Sequence, residues 1–278
     1  MGVIGWKFYN HAAVPTSAPH EDVNIQPIKT GEIWNIDEKK PLFVRWTSDF
    51  DCPYETNWWY IIKDKPFDIN TLKSKRRYEI NKGLKNYVIK EINPIDYIES
   101  LYHITEKAYL SWPAKYRPRI SLESFSKEIK KWDYSAVLGA FDINTGLLCG
   151  YAALRVKGYF IDFVTLRVIP DEEKKAINAA IIAGILAKYK DQLGKGYYIC
   201  DGSRSIMHET AFQDYLQKYF GFRKAYCKLH IIYRNPIGMI VKIVYPFRKL
   251  IHSEKGALYQ LCCVMKMEEI VRTDRYIK

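Results

Sequence analysis

The most constraining feature of the sequence is a series of short apolar segments between residues 135 and 233, separated by turn residues. The first three segments span residues 135–142, 147–156 and 159–168. Asn144-Thr145-Gly146 and Lys157-Gly158 lie between them, and both Asn and Gly tolerate the positive φ of tight turns. The third segment is rich in β-branched and aromatic residues, which favour strands. The pattern therefore predicts a three-stranded antiparallel meander.

Helical and strand patterns alternate after the meander. Pro170 ends the third strand, and residues 176–189 are apolar almost throughout, which predicts a buried helix. A strand at 197–201, a helix at 206–220 and a strand at 224–233 complete the series. This order predicts an α+β fold with a mixed, mostly antiparallel central sheet flanked by helices.

Shorter patterns flank this core on both sides. Strands are predicted at 42–46 and 58–62, and helices at 70–86, at 93–110, from Ser121, at 236–251 and at about 257–271. Asn93-Pro94 is a strong helix start, because a capping residue precedes Pro at the first helical position. We expect N-terminal strands and a basic helix in residues 1–95, a main lobe in 96–235 and a helical extension in 236–278.

Composition narrows the classes of partner. The chain has 278 residues, is 48% apolar and carries a net charge of +12. Such a charge attracts anionic partners, namely nucleic acid, an acidic membrane face or a phosphorylated substrate. The six cysteines include no C-x-x-C pair, so we predict reduced thiols, no metal site and a cytoplasmic location.

The termini and apolar segments show no targeting pattern. Residues 1–10 lack the charged start and apolar run of a signal peptide. No apolar segment reaches the roughly 18 residues of a transmembrane helix. We therefore expect any membrane contact to be peripheral, at the inner membrane face. The helix at 236–251 has an apolar stripe with Lys242, Arg248 and Lys249 beside it, and it either lies on an anionic membrane or packs in the core.

The order of elements resembles the core of the GNAT acyltransferase fold. Val168-Ile169-Pro170 matches the opening of that family's donor-binding signature, whereas Glu173 stands at its Gln/Arg position. The resemblance implies a thioester donor, acyl-CoA, whose pyrophosphate meets the start of the helix after the third strand. The residues implied in donor binding are Val168, Lys174, Lys175 and Asn178.

A basic helix ahead of this core resembles the FemABX-type branch of the same superfamily. The helix contains Lys73-Ser74-Lys75-Arg76-Arg77-Tyr78, and Gly221-Phe222 later in the chain also resembles that branch. The branch includes aminoacyl-tRNA-dependent peptidoglycan ligases and acyltransferases of envelope polysaccharide clusters. The resemblance implies an envelope glycan as acceptor, and the absence of the coiled-coil arm argues against tRNA as donor. Arginine forks suit phosphates, so Arg76 and Arg77 are candidate substrate-binding residues.

Polar residues follow the strand at 197–201, where sites gather in α/β sheets. Ser203, Arg204 and His208 lie there, with Arg204 as a candidate substrate-binding residue. Asp162 lies within the neighbouring strand between apolar residues, which predicts the raised pKa of a general base. We take Asp162, Ser203 and His208 as the catalytic candidates. The alternatives are a solvent-facing residue for Asp162 and helix capping for the other two.

Three functions remain open at this point. The leading one is transfer of an acyl group from acyl-CoA to an amine or hydroxyl of a small-molecule or glycan acceptor. The second is aminoacyl transfer from charged tRNA, for which the positive charge and many tyrosines are suited. The third is a non-catalytic GNAT-fold binding module.

Overall fold

The computed structural model describes residues 3–114, 117–207, 211–253 and 256–274. The chain divides into two compact units. The first unit comprises Met1–Ile61, Ser203–Ala211 and Lys224–Lys278, and the second comprises Ile62–Gly202 and Phe212–Arg223. Each unit is assembled from segments that are far apart in the sequence. The division of the chain into an N-terminal part (1–95), a main lobe (96–235) and a helical extension (236–278) stays a prediction.

Ten strands and eight α-helices are present in the described residues. The strands are β1 (Trp6–Tyr9), β2 (Ala12–Pro15), β3 (Phe43–Ser48), β4 (Trp58–Lys63), β5 (Tyr87–Glu91), β6 (Ala136–Asp142), β7 (Leu148–Lys157), β8 (Phe160–Val168), β9 (Tyr198–Ser203) and β10 (Arg223–Tyr233). The helices are α1 (Gln26–Thr30), α2 (Ser74–Asn86), α3 (Ile98–Leu110), α4 (Leu122–Ile129), α5 (Ile177–Lys188), α6 (Ala211–Phe220), α7 (Ile237–Val244) and α8 (Gly256–Asp274). Short 3-10 helices include Pro170–Lys175 and Tyr245–Leu250.

The predicted fold class is confirmed. Strands β6, β7 and β8 form the antiparallel meander, and Gly146 and Gly158 occupy its turns with φ of 70° and 54°. Ser121 caps α4, accepting a hydrogen bond from the Ser124 N–H. The helix predicted at 236–251 instead changes to 3-10 geometry at Tyr245, and Pro246, which has no N–H to donate to a preceding carbonyl, lies at this change.

In the second unit, helices cover both faces of a sheet with the order β9-β8-β7-β6-β5. All neighbours are antiparallel except β8 and β9. Consecutive residues of β7 show the two faces. A side chain at Gly150 would contact Ile177 of α5, whereas the Tyr151 hydroxyl lies 2.8 Å from the Thr105 hydroxyl of α3.

In the first unit, the neighbouring strands follow the order β1, β2, β3, β10 and β4. Phe43 packs in a cluster with Met267 and Ile270 of α8, while Val44 faces the opposite cluster that contains Trp6. The end of α8 is tied down by Asp274, whose Oδ1 accepts hydrogen bonds from the Asn57 backbone N–H at 2.9 Å and Nδ2 at 2.8 Å. Within the described ranges, no helix combines the length and apolar character needed to span a bilayer.

Candidate active site

Strands β8 and β9 separate after a short region of pairing in the second unit. They are paired only through Phe160–Tyr198, Ile161–Ile199 and Asp162–Cys200, whereas β8 stays paired with β7 as far as Val168. The register of β7 and β8 shifts beyond this point, so that Val164 is left unpaired in a bulge. In the described part of the chain, no strand pairs with the β9-side edge of β8 beyond Asp162. Backbone amides at such an edge can bind an extended ligand.

A carboxyl with an unusual pKa lies where the two strands begin to separate. Burial raises the pKa of Asp201 to about 7, a hydrogen bond with the Gln213 side chain opposes this, and the negative charge of Asp162 adds to it. Asp201 follows Cys200, which pairs with Asp162 across the two strands. A carboxyl with this pKa is partly ionised at neutral pH, so it can both accept and return a proton.

Asp162 itself has a cationic neighbour. Its Oδ2 lies 3.7 Å from Nη1 of Arg155, and Nη2 of the same arginine donates to Asp133 at 2.8 Å. The Arg155 guanidinium also stacks 5.4 Å from the centroid of the Tyr134 ring, so several contacts fix its position. The structure therefore brings together Asp162, which sequence reasoning chose, and Asp201, which it passed over. The position of Asp201 at the carboxyl end of a buried strand was the available signal.

The other two catalytic candidates are placed differently. Ser203 lies in the first unit and lines a cavity there, whereas His208 lies outside the described residues. Their catalytic roles stay predictions.

Arg204 is held by backbone carbonyls of the first unit. Its Nη1 donates to the Asn57 carbonyl at 2.8 Å and its Nε to the Ser205 carbonyl at 3.2 Å. The guanidinium carbon also lies 4.4 Å from the centroid of the Trp59 ring. Lys224 Nζ lies 4.0 Å from the same centroid. These contacts orient Arg204, and its role in substrate binding stays a prediction.

The cavity in the first unit has a volume of about 270 Å³ and combines a cation with aromatic walls. Arg45, Trp58 and Tyr60 line it, and burial lowers the pKa of Arg45 while Tyr60 raises it. No carboxylate of the described residues lies within 4.0 Å of the Arg45 guanidinium, whose Nη1 contacts the sulfur of Met267 at 3.7 Å. A half-buried guanidinium without a carboxylate partner favours an anionic ligand.

Two other groups in the cavity refine this interpretation. Trp58 is only 3% exposed, and its Nε1–H has no acceptor among the residues that the structure describes. Glu21 also lines the cavity, but its Oε2 accepts a hydrogen bond from the Ala18 N–H at 2.7 Å. The charged residues of the lining are therefore two cations, Lys7 and Arg45, and one carboxylate, Glu21, and this excess of positive charge favours an anionic ligand.

The loop after β8, where the resemblance places the CoA pyrophosphate, is occupied by its own ion pairs. Lys175 Nζ lies 2.9 Å from Oε2 of Glu172 and 3.2 Å from Oδ2 of Asp142. The Tyr87 hydroxyl donates to the same Glu172 carboxylate. Lys174 is exposed and lies 3.7 Å from Oδ1 of Asp171.

The start of α5 is covered by α2. A Cβ at Gly83 of α2 would overlap the Ala176 carbonyl, and Ala176 and Ile177 are 3% and 0% exposed. Asn178 Oδ1 is buried with no donor within the described residues. The residues present do not form an open anion site at this helix start, so a pyrophosphate would contact the exposed outer edge of the loop. Donor binding by Val168, Lys174, Lys175 and Asn178 stays a prediction.

The basic helix α2 carries exposed cations at Lys75 and Lys85 and half-buried ones at Arg76, Arg77 and Lys82. Its cations and those beside it are Lys73, Lys75, Arg76, Arg77, Lys82 and Lys85. No carboxylate oxygen of the described residues lies within 4.0 Å of any of these six side chains. The face is thus an uncompensated basic surface, which favours an anionic partner. Where the chain is described, no group of three or more His, Cys, Asp or Glu residues could hold a metal ion.

Solved structures share this fold, although no family model and no curated protein matches the sequence. L-PGS from Bacillus licheniformis is 10% identical and aligns over 88% of this chain and 84% of its own, with a TM-score of 0.51. The C-terminal domain (DUF2156) of a proposed lysylphosphatidylglycerol synthetase from Agrobacterium fabrum is 10% identical over 85% of this chain and 82% of its own, with a TM-score of 0.50.

A third solved structure is more distant. PaiA N-acetyltransferase from Thermoplasma acidophilum, in complex with coenzyme A, is 20% identical over 39% of this chain and 74% of its own, with a TM-score of 0.30. Similarity at that level supports no argument about this chain. The fold is α+β, with a mixed, mostly antiparallel sheet flanked by helices, and membership of the GNAT superfamily and of its FemABX branch stays a prediction. At nearly full length, the fold is the one found in L-PGS and in the Agrobacterium fabrum domain.

Proposed function

We propose that this chain is an acyltransferase that moves an acyl or aminoacyl group onto a hydroxyl or amine of its acceptor. The observation that carries the proposal is the Asp201 carboxyl, with a pKa of about 7, beside Asp162 where β8 and β9 separate. A proton acceptor with this pKa matches the needs of acyl transfer at neutral pH. The shared fold supports the same reaction class, because one of the proteins compared is named for lysyl transfer to phosphatidylglycerol.

The proposed reaction is a direct transfer with Asp201 as general base. The ionised carboxylate takes the proton of the acceptor O–H or N–H as the acceptor atom attacks the donor carbonyl carbon. The bond from that carbon to the leaving thiol or hydroxyl then breaks, and the carboxyl returns its proton to the leaving group. Backbone amides of β8 near the Val164 bulge are candidates to stabilise the negative charge on the carbonyl oxygen. The negative charge of Asp162 adds to the effect of burial in raising the pKa of Asp201.

The donor of first choice is acyl-CoA, and the acceptor is a hydroxyl or amine on an anionic molecule. An envelope glycan or a phospholipid headgroup provides both the nucleophile and the negative charge. The Arg45 cavity supports the anionic part of this assignment, because its guanidinium has no carboxylate partner in the described residues.

Aminoacyl-tRNA is the second candidate donor, and a specific observation favours it. The α2 surface holds six cations with no carboxylate in reach among the described residues, and phosphate contacts of this kind dominate nucleic-acid affinity. The covered start of α5 also removes the usual place for a CoA pyrophosphate.

One experiment distinguishes these functions. The purified protein is incubated with lipid and glycan extract and with either radiolabelled acyl-CoA thioesters or tRNA charged with radiolabelled amino acids. Label should move to the extract from one donor class, and D201N should lose this transfer while keeping the fold. If neither donor is consumed, the chain is a binding module and the acyltransferase proposal fails. If D201N transfers label as fast as the native chain, the chain is a transferase but Asp201 is not its general base.

A further inference from the structure

An exposed surface on α7 and the 3-10 helix after it combines large apolar side chains with cations. Met239, Ile240, Ile243, Phe247 and Leu250 are 60%, 46%, 69%, 59% and 80% exposed. Lys242 and Lys249 lie among them and are exposed. We call these seven residues the apolar–basic surface. The opposite side of α7 is anchored in the first unit, because Val241 is 2% exposed.

The sequence periodicity explains why the three exposed apolar residues of α7 share one side of that helix. At roughly 100° per residue, Met239, Ile240 and Ile243 fall within an arc of about 100° on α7, and Lys242 borders that arc. Val241 therefore packs in the core. The apolar stripe predicted for the helix at 236–251 is only partly buried. Single exposed apolar residues are ordinary on protein surfaces, whereas five of this size on two consecutive short helices indicate an interaction site.

The positive charge of residues 234–253 indicates which class of partner binds the apolar–basic surface. Residues 234–253 contain four Lys or Arg and no Asp or Glu. Arg248 is bound by Glu269 of α8, with Nε and Oε1 3.4 Å apart. Lys242 and Lys249 have no carboxylate oxygen within 4.0 Å in the described part of the chain. Both lysines can therefore meet negative charge outside the molecule.

From these observations we infer that the apolar–basic surface docks on an anionic phospholipid membrane. Apolar side chains at this exposure enter the boundary between headgroups and acyl chains, and lysines beside them meet the lipid phosphates. A nucleic acid matches the lysines and leaves the aliphatic side chains in water. A neutral protein surface matches the aliphatic side chains and leaves the lysines without partners. An anionic membrane matches both, and the inference is independent of the donor and of catalysis.

The test is flotation of the purified chain with vesicles of phosphatidylcholine alone or of equal parts phosphatidylcholine and phosphatidylglycerol. The native chain should float with the anionic vesicles at low salt and less at high salt. Replacing Lys242 and Lys249 by Gln should lower the partition coefficient at least about tenfold, since each cation near an anionic surface is worth about a factor of five. Replacing Ile243 and Leu250 by Ser should lower it at both salt concentrations. The substituted side chains are exposed, so the variants should keep the native circular dichroism spectrum.

Matched controls use exposed residues elsewhere. Replacing Lys130 and Lys131 by Gln, or Leu147 by Ser, should leave flotation unchanged. Flotation that is lost with Lys73→Gln and Lys75→Gln but kept with the α7 variants would place the contact on α2 and overturn the inference. So would a native chain that stays at the bottom. Ultracentrifugation overturns it as well if the native chain is a dimer that the Ile243 and Leu250 substitutions dissociate.

Discussion

Gly83 of α2 lies against the backbone of Ala176, so closely that a Cβ at Gly83 would come within 3.0 Å of the Ala176 carbonyl oxygen. The same Cβ would be 2.9 Å from the backbone nitrogen of Ala180. These atoms belong to the start of α5 and cannot rotate away as a side-chain end can. The contact explains why the start of α5, where the sequence resemblance places a phosphate, is covered in this chain.

Gly83→Ala should therefore destabilise the protein. Alanine normally favours a helix over glycine by about 1 kcal/mol, but overpacking against backbone costs roughly 1–3 kcal/mol, so we expect a net loss. Gly238→Ala is the matched control, because a Cβ in α7 at that position would be 3.5 Å from Tyr233 Cβ, an ordinary contact. Urea denaturation compares the two. Equal stability of Gly83→Ala and the native chain contradicts the close packing.

Asp201→Asn should remove the part of the pH dependence of activity and stability that arises from Asp201. Because the native pKa of Asp201 is about 7 and its ordinary value is 3.8, the unfolded chain releases this proton first. The contribution of Asp201 to the free energy of unfolding is therefore complete below about pH 4 and is lost as the pH rises to about 7, by roughly 2–4 kcal/mol. The variant lacks this loss, so it should exceed the native chain in stability at pH 8. Its transfer rate should fall about a hundredfold or more.

Asp162→Asn distinguishes the two aspartates. The negative charge of Asp162 raises the pKa of Asp201, so its removal should move the acidic limb of the kcat/KM profile to lower pH. Activity above that limb should persist if Asp201 is the base. A loss of about a hundredfold at every pH would instead make Asp162 the base, as first predicted from the sequence. Initial rates across the pH range decide between them.

Arg45→Met should separate binding from stability. The guanidinium is half-buried and has no carboxylate partner in the described residues, so a methionine of similar length should leave the melting temperature unchanged or higher. Affinity for an anionic acceptor should fall about tenfold to a hundredfold, as expected for a lost charged hydrogen bond of about 1.5–3 kcal/mol. Lower stability together with unchanged KM would show that Arg45 is structural.

Lys174→Glu tests the predicted donor loop and leaves the ion pairs of Lys175 with Glu172 and Asp142 in place. Lys174 is exposed, whereas Lys175 is bound to Glu172 and Asp142, so Lys175→Glu should lower the melting temperature. If a CoA phosphate contacts the outer edge of the loop, Lys174→Glu should weaken acetyl-CoA binding by roughly 1–3 kcal/mol. Calorimetry measures this. Unchanged binding heat and affinity would show that the donor phosphate does not contact residues 170–178.

The sequence by itself determined the elements of the core and their order. The strands of the meander, its turns at Gly146 and Gly158 and the cap of Ser121 follow from signals within a few residues, namely alternation, positive φ and capping. Each of these signals depends only on residues close together in the sequence, so it can be recognised without the three-dimensional structure. The fold class was predictable for this reason.

Only the tertiary structure decided which polar groups have unusual chemistry. Asp162 and Asp201 both occur on strands, but Asp201 has the raised pKa because burial and the charge of Asp162 act on it. The sequence also did not show that Gly83 packs against the start of α5. Nor did it show that the apolar side chains of α7 are exposed. Burial and electrostatic shifts are sums over neighbours that are distant in sequence. A local pattern can therefore place a residue on a strand or helix, but the packing of remote segments determines its environment.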